Sequence, residues 1–253
     1  MAAIEYETQG AVAVITINRP DRRNAINREV REGLFNAFQE FEQSNTLRVA
    51  ILTGAGNSAF CAGMDLVEAA QLQLGVPPQG YFPVLGDNVR ITKPVIAAVN
   101  GIAVAGGWMF AQMCDLCVAS ENARFGITEA KVGRGMPWAT PLINMIPQRI
   151  AMELLLTGQL ITAQRAYEVG FVNEVTSPDD LMPRAMALAE TIAANAPLTV
   201  RAVKQSLMAA TEMGRSAALR MADQLFEPVY KSQDAQEGPA AFREKRKPVW
   251  LGR

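Results

Sequence analysis

Three short apolar runs constrain the fold most. Residues 49–53 (VAILT), 95–99 (VIAAV) and 116–119 (LCVA) carry no polar alternation, and Gly or Pro residues bound the first two. Runs of this length and composition read as strands covered on both faces. Between them lie segments of helical character, such as the stretch from about 107 to 113. Strand, helix and strand in succession make an α/β protein.

The flanking segments extend this pattern. Residues 4–9 and 12–18 read as a hairpin about Gly10, stopped by Arg19-Pro20-Asp21. An amphipathic helix is expected over about 27–41, with Asn24 as its cap and Leu34, Phe35, Ala37, Phe38 and Phe41 on its apolar side. Residues 67–93 hold Gly75, Pro77, Pro78, Gly80 and Pro83, an irregular stretch of the kind that forms a lid or pocket wall. After Pro141 the pattern is nearly all helical, apart from one strand expected at 171–175. Thr162 is placed to cap a helix over 163–169, and further helices are expected at about 179–195, 197–213 and 215–227. The tail, 238–253, ends with Phe242, Lys245, Arg246, Lys247 and Trp250. The chain thus divides into an α/β core, 1–195, and a C-terminal helical region, 196–253.

Composition removes several chemistries. The 253 residues include no His, so no His-based triad or His metal ligand exists. Proton transfer falls to a carboxylate, Cys, Tyr or Lys. A net charge of −1 gives no basic track for nucleic acid, while a single anionic ligand needs only two or three local positive charges. Cys61, Cys114 and Cys117 are an odd count that suits a reducing compartment. Cys114 and Cys117 resemble a CxxC pair, but the second lies in an apolar strand, and buried small hydrophobes are the simpler reading. No leader-like segment and no apolar run of 18 residues is present, so a soluble cytoplasmic enzyme without a membrane span is expected.

Two glycine sites suggest chemistry. Gly63, in Phe60-Cys61-Ala62-Gly63-Met64-Asp65-Leu66, lies in a turn that could present backbone N–H groups, including that of Met64. Gly106 and Gly107 begin a helix, where N–H groups lack intrahelical partners. Two such groups can hold one developing oxyanion. Each turn alone reads more readily as a tight bend.

Taken together, these segments make the chain resemble the crotonase superfamily, the enoyl-CoA hydratase/isomerase proteins. The resemblance rests on Ile17-Asn18-Arg19-Pro20 with Asn24-Ala25, on 60–66, on 94–101 through Gly106-Gly107, on Ala123 to Glu129, and on Leu156-Thr157-Gly158 followed by 163–173. It implies a spiral of repeated β-β-α units with a helical C-terminal region used for trimerisation, giving a homotrimer or a dimer of trimers. It implies an acyl-CoA thioester substrate, with coenzyme A as part of the substrate and no permanently bound cofactor. The Met64 and Gly106 N–H groups would form the oxyanion hole and Glu129 would be the catalytic acid/base. Arg22, Ala25, Ala62, Asp65, Leu66, Met109, Trp138, Phe242 and Lys245 would contact the substrate or its CoA moiety, the last two often from a neighbouring subunit.

One departure bears on the reaction. Hydratases of the family use two glutamates around one water, and the second falls on Met109 here. Ala105 stands where the family has glycine. Reversible hydration of a 2-enoyl-CoA is the leading expectation. Isomerisation of a 3-enoyl-CoA by Glu129 alone, another crotonase-type dehydration or hydrolysis, and CoA-ester binding without turnover are the alternatives. Arg134, in Gly133-Arg134-Gly135-Met136-Pro137, could pair with Glu129, meet an acidic substrate group, or be a solvated loop residue.

Overall fold

A computed structural model describes residues 2–253. Its strands fall into two sheets that the chain visits alternately from β3 to β8. The first sheet contains β1 (Ile4–Gln9), β2 (Val12–Ile17), β3 (Val49–Gly54), β5 (Val95–Val99), β7 (Leu116–Ser120) and β10 (Glu174–Thr176), in the order β1-β2-β3-β5-β7-β10. The second contains β4 (Ala59–Cys61), β6 (Ile102–Val104), β8 (Arg124–Gly126) and β9 (Ile161–Thr162), ordered β4-β6-β8-β9. β1/β2 and β8/β9 are antiparallel and every other pair is parallel.

β3, β5 and β7 of the first sheet are each followed by a strand of the second and then by helical structure. β3 and β4 lead to α2 (Leu66–Gln71), and β5 and β6 to α3 (Gly106–Met113). This is the β-β-α spiral. The repeat lies in geometry rather than in repeated residues. The apolar runs are buried throughout β3 and β5 because both faces of the first sheet are covered. One face joins the main core with α1 (Arg28–Gln43) and α3. The other packs Val49, Ile51, Ile96, Ala98 and Val118 against Leu181, Ala185 and Ala189 of α6 (Leu181–Ala193).

Several local expectations are corrected. Asn27, not Asn24, caps α1, accepting from Val30 N–H at 3.1 Å. The last strand is Glu174–Thr176 rather than 171–175: Phe171 and Val172 turn into the core, and Asn173 ties itself to Cys117 through backbone and side chain. A further helix, α9 (Asp234–Arg243), to which the sequence pattern assigns no bounds, leads into the tail. Its buried Asp234 carboxylate accepts from the Leu251 and Gly252 N–H groups, at 2.7 and 2.9 Å, and folds the last residues back. Thr162 does cap α5 (Ala163–Glu168), and α4 (Gln148–Thr157) precedes it.

α7 (Pro197–Glu212) and α8 (Arg215–Tyr230) fold against each other across a two-residue link. Ala202 is the only residue buried in α7, and none is buried in α8. Val203, Leu207, Met208, Leu219 and Tyr230 therefore remain exposed. No helix among the described residues is long and apolar enough to cross a membrane.

Candidate active site

Two backbone turns meet beside Ile26. After β4, Gly63 takes φ 84°, a left-handed conformation that disfavours a side chain. Ile26 pairs with Met64 as a short parallel bridge. Its N–H donates to Gly63 O at 2.8 Å, and its carbonyl accepts from Asp65 N–H at 3.0 Å. These flanking groups make the ladder, so the N–H of Met64 itself faces away from Ile26. From the other side, Gly106 opens α3 and its N–H has no place in the helix. Gly107 permits the approach, since a Cβ there would stand 2.0 Å from Cys61 O.

The two N–H groups lie side by side. A Cβ on Gly63 would be 3.3 Å from the Gly106 nitrogen, and a Cβ on Gly106 would be 3.8 Å from the Met64 nitrogen. Neither N–H donates to a protein acceptor among the described residues. Two free donors at adjacent turns, one at a helix start, suit a small centre of negative charge.

The first turn is held from beneath by residues whose part single-residue reading does not identify. Asn24 is fully buried, accepts from Arg19 N–H at 2.9 Å, and donates to Ala55 O and Ala59 O at 3.0 and 2.7 Å. The Arg19 guanidinium donates to Ala25 O at 2.7 Å and to the Asp65 carboxylate at 3.0 Å. Both residues lie in the opening motif, so the motif is the available signal. Asp65 also caps α2 through Val67 and Glu68 N–H. Burial pushes its carboxyl up, but Arg19 and the two N–H groups outweigh this and hold it below the usual range. The Asp65 side chain is thus engaged within the fold, while Leu66 is exposed and Ala25 and Ala62 are half-buried beside it.

Glu129 begins the short 3-10 turn Glu129–Lys131 after β8 and is only 7% exposed. Its Oε2 is buried with no hydrogen-bond partner. Burial raises its pKa. Its own N–H, the Thr128 N–H and the nearby Trp138 indole act in the opposite direction without cancelling the rise. Among the described residues the other buried carboxylate is Asp234, and both of its oxygens are used by the tail. Glu129 is therefore the buried acid free to exchange a proton.

Met109, 4% exposed, lies three residues after Gly106, on the same side of α3. Trp138 is half-buried in the 3-10 helix Pro137–Asn144, and its carbonyl accepts from Gln112 Nε2 at 2.9 Å, which fixes this segment to α3. Arg134 does not pair with the Glu129 carboxylate. Its guanidinium donates to Leu74 O at 2.7 Å.

The remaining candidates, Arg22, Phe242 and Lys245, make no bond to Glu129 or to the N–H pair, although the carbonyl of the adjoining Arg23 accepts from Ala62 N–H at 3.0 Å and so places Arg22 close to the first turn. Arg22 is exposed and near Asp21, 3.7 Å away. Phe242 on α9 is 87% exposed, and Lys245 follows that helix. No hydrogen bond, ion pair or ring contact among the described residues joins either to Glu129 or the N–H pair. Cys61, Cys114 and Cys117 are buried free thiols, with Cys61 and Cys117 pushed up to about 12 by burial.

The enoyl-CoA hydratase/isomerase family model matches residues 7–253. The chain belongs to this family. Enoyl-CoA hydratase EchA19 of Mycobacterium tuberculosis is 40% identical, with 98% of this chain and 96% of the relative covered. (E)-Benzylidenesuccinyl-CoA hydratase of Thauera aromatica is 36% identical, covering 98% and 99%. The crystal structure of enoyl-CoA hydratase EchA1 from Mycobacterium marinum superposes with a TM-score of 0.93 at 39% identity, over 100% of both chains. The fold is thus that of the crotonase superfamily, and the chain is a crotonase-family enzyme.

Proposed function

We propose that this chain is an enoyl-CoA hydratase that adds water reversibly to a 2-enoyl-CoA. The observation that carries the reading is the free Oε2 of the buried Glu129 in a chain that also presents two unpaired N–H groups at Met64 and Gly106. The thioester oxygen accepts from both N–H groups. Glu129 takes a proton from water as its oxygen bonds to C3, and electron density moves through C2 to the thioester oxygen. The resulting enolate is stabilised by the N–H pair, and Glu129 returns the proton it took from water to C2, which completes the addition and restores the carboxylate. Two relatives of similar length bear hydratase names, which supports hydration as the reaction type.

CoA enters as part of the substrate, with no permanently bound cofactor. Arg22, Ala25, Ala62, Asp65 and Leu66 line its approach, Met109 and Trp138 bound the acyl group, and Phe242 and Lys245 close the site from a neighbouring subunit. The assembly is a homotrimer or a dimer of trimers. Support comes from α8, which buries none of its residues in the single chain. The cytoplasm is the proposed location, in keeping with three free thiols.

Met109 favours a second reading, 3,2-enoyl-CoA isomerisation, in which Glu129 alone carries a proton from C2 to C4. Incubation with 2-enoyl-, 3-enoyl- and 3-hydroxyacyl-CoAs followed by mass spectrometry separates the two. Gain or loss of one water marks hydration, whereas unchanged mass with altered double-bond position marks isomerisation. A shifted enoyl-thioester absorption band without any product would overturn both in favour of binding alone.

A further inference from the structure

The sequence singles out Arg134 as an unusual charge in a glycine-containing loop, and the proposed chemistry gives it no part. Its contacts are specific. The backbone N–H donates to Glu129 O at 3.0 Å, closing the loop onto the turn that begins with Glu129. The guanidinium reaches across to Leu74 O at 2.7 Å and Gly75 O at 3.4 Å, both through Nη1. These carbonyls lie just beyond α2, about 60 residues away in sequence.

α2 starts at the other half of the site. Asp65 caps it, and Asp65 directly follows Met64. The path from Met64 runs along α2, a rod of about 9 Å, to the Leu74 and Gly75 carbonyls, across the Arg134 guanidinium, and through the Arg134 N–H to Glu129. Among the described residues, no other hydrogen bond or ion pair joins residues 74–80 to a part of the chain more than five positions away. The next tie is Arg31 stacked over the Tyr81 ring at 3.9 Å.

We infer that Arg134 is a positioning residue, a strap that joins the segment after α2 to the Glu129 turn and so fixes the acid/base relative to the Met64 donor. This rests on the reading of Glu129 above. The planar guanidinium suits such a strap because it stays charged and its rigid donors can address two successive carbonyls, which a single ammonium does less well. An unstrapped segment would let the pocket wall open and let Glu129 move relative to the enolate. Displacements of about 1 Å cost catalysis far more than binding.

The test uses the full oligomeric protein with Arg134→Gln and Arg134→Lys, and with Glu129→Gln in parallel. kcat and KM are measured on the enoyl-CoA that the parent turns over, inhibition is measured with free CoA, and hydrogen exchange is followed over residues 72–83. Arg134→Gln should lower kcat about 10-fold or more, leave free-CoA inhibition within about twofold, and speed exchange over 72–83. Arg134→Lys, which retains the charge and can reach one carbonyl, should lie between the parent and Arg134→Gln, and it carries the test if the Gln variant does not fold. A parental kcat in folded Arg134→Gln, or a lower kcat with unchanged exchange over 72–83, overturns the strap. If Glu129→Gln is inactive while Arg134→Gln is parental, the strap alone fails. If Glu129→Gln is fully active, the reading of Glu129 fails first.

Discussion

The methyl carbon of Ala105 lies 2.8 Å from the point where a side chain on Gly63 would begin. Gly63 is at φ 84° and Ala105 at φ 52°, so the two turns that carry the candidate oxyanion donors each hold a left-handed residue and press directly on one another. The donors converge because one of the two residues has no side chain.

Gly63→Ala should therefore damage both stability and activity. The new methyl would sit 2.8 Å from Ala105 Cβ and 3.0 Å from Val104 O, in a backbone conformation that alanine disfavours. A loss of about 2 kcal/mol in stability is expected, with turnover down roughly 100-fold as one donor shifts. Ala105→Gly is the opposite case. It relieves a left-handed alanine and should raise Tm by about 2 °C with turnover kept. Denaturation curves and steady-state rates on purified protein check both, and a stable, fully active Gly63→Ala protein would refute the packing argument.

Glu129→Gln should lower turnover roughly 100-fold or more while leaving CoA-ester affinity nearly unchanged. Its effect on folding should have the opposite sign. Burial raises the Glu129 pKa, so the folded chain holds this proton more tightly than the unfolded chain does. The cost of burying the carboxylate is absent below the unfolded value of about 4.3. It grows as pH rises from there through the higher folded pKa and is fully present above it. The Gln variant escapes that cost. At pH 7 it should melt above the parent, and the difference should shrink as the pH is lowered toward 4. A variant that melts below the parent at neutral pH would contradict the assignment of a strained, desolvated carboxylate.

Much of the architecture was readable because local and global preferences agree. The runs at 49–53, 95–99 and 116–119 are apolar for the reason that their sheet is covered on both faces, and each forms the strand expected. Alternation between two sheets was not readable. β4, β6 and β8 are three residues each, too short to show a period, and they are set by pairing partners distant in sequence. Asn24 misled for a similar reason. A residue type that often caps helices here satisfies two buried carbonyls, a role visible only once residues 55 and 59 are folded against it. Asp234 was missed because the contacts it makes, to residues 251 and 252, close a loop over a tail with no apolar period. At the site, Glu129 and the two glycine turns were legible through family motifs. The partner of Arg134 was not, since backbone carbonyls at 74 and 75 leave no mark in side-chain identity.

The assembly should be larger than one chain. Leu207, Leu219 and Tyr230 are 65%, 59% and 76% exposed on α7 and α8, a helical pair that buries only Ala202 in the single chain and so offers apolar surface for association. Light scattering at micromolar concentration should give three or six times the 27.4 kDa chain mass. A monomer at that concentration would remove the role proposed for Phe242 and Lys245 in a neighbour's site.

Met109→Glu tests whether this residue limits hydration. Met109 is 4% exposed on the side of α3 that also presents Gly106, and its thioether can neither give nor take a proton. A glutamate there would supply a second hydrogen-bond partner for water and a second proton donor. Burying it in this apolar corner costs several kcal/mol if it is charged and unpaired, and that cost drives its pKa upward. Arriving protonated is what an acid role uses. A second carboxyl that shares the attacking water with Glu129 would also couple the two titrations, so on the proposed mechanism the acid limb of the rate profile should broaden. The informative quantity is the ratio of crotonyl-CoA hydration to 3-enoyl-CoA isomerisation in folded, oligomeric protein, since partial misfolding lowers both rates together. The ratio should rise in the variant. If it stays level or falls, Met109 does not limit hydration, and water must be held by groups other than a second acid on α3.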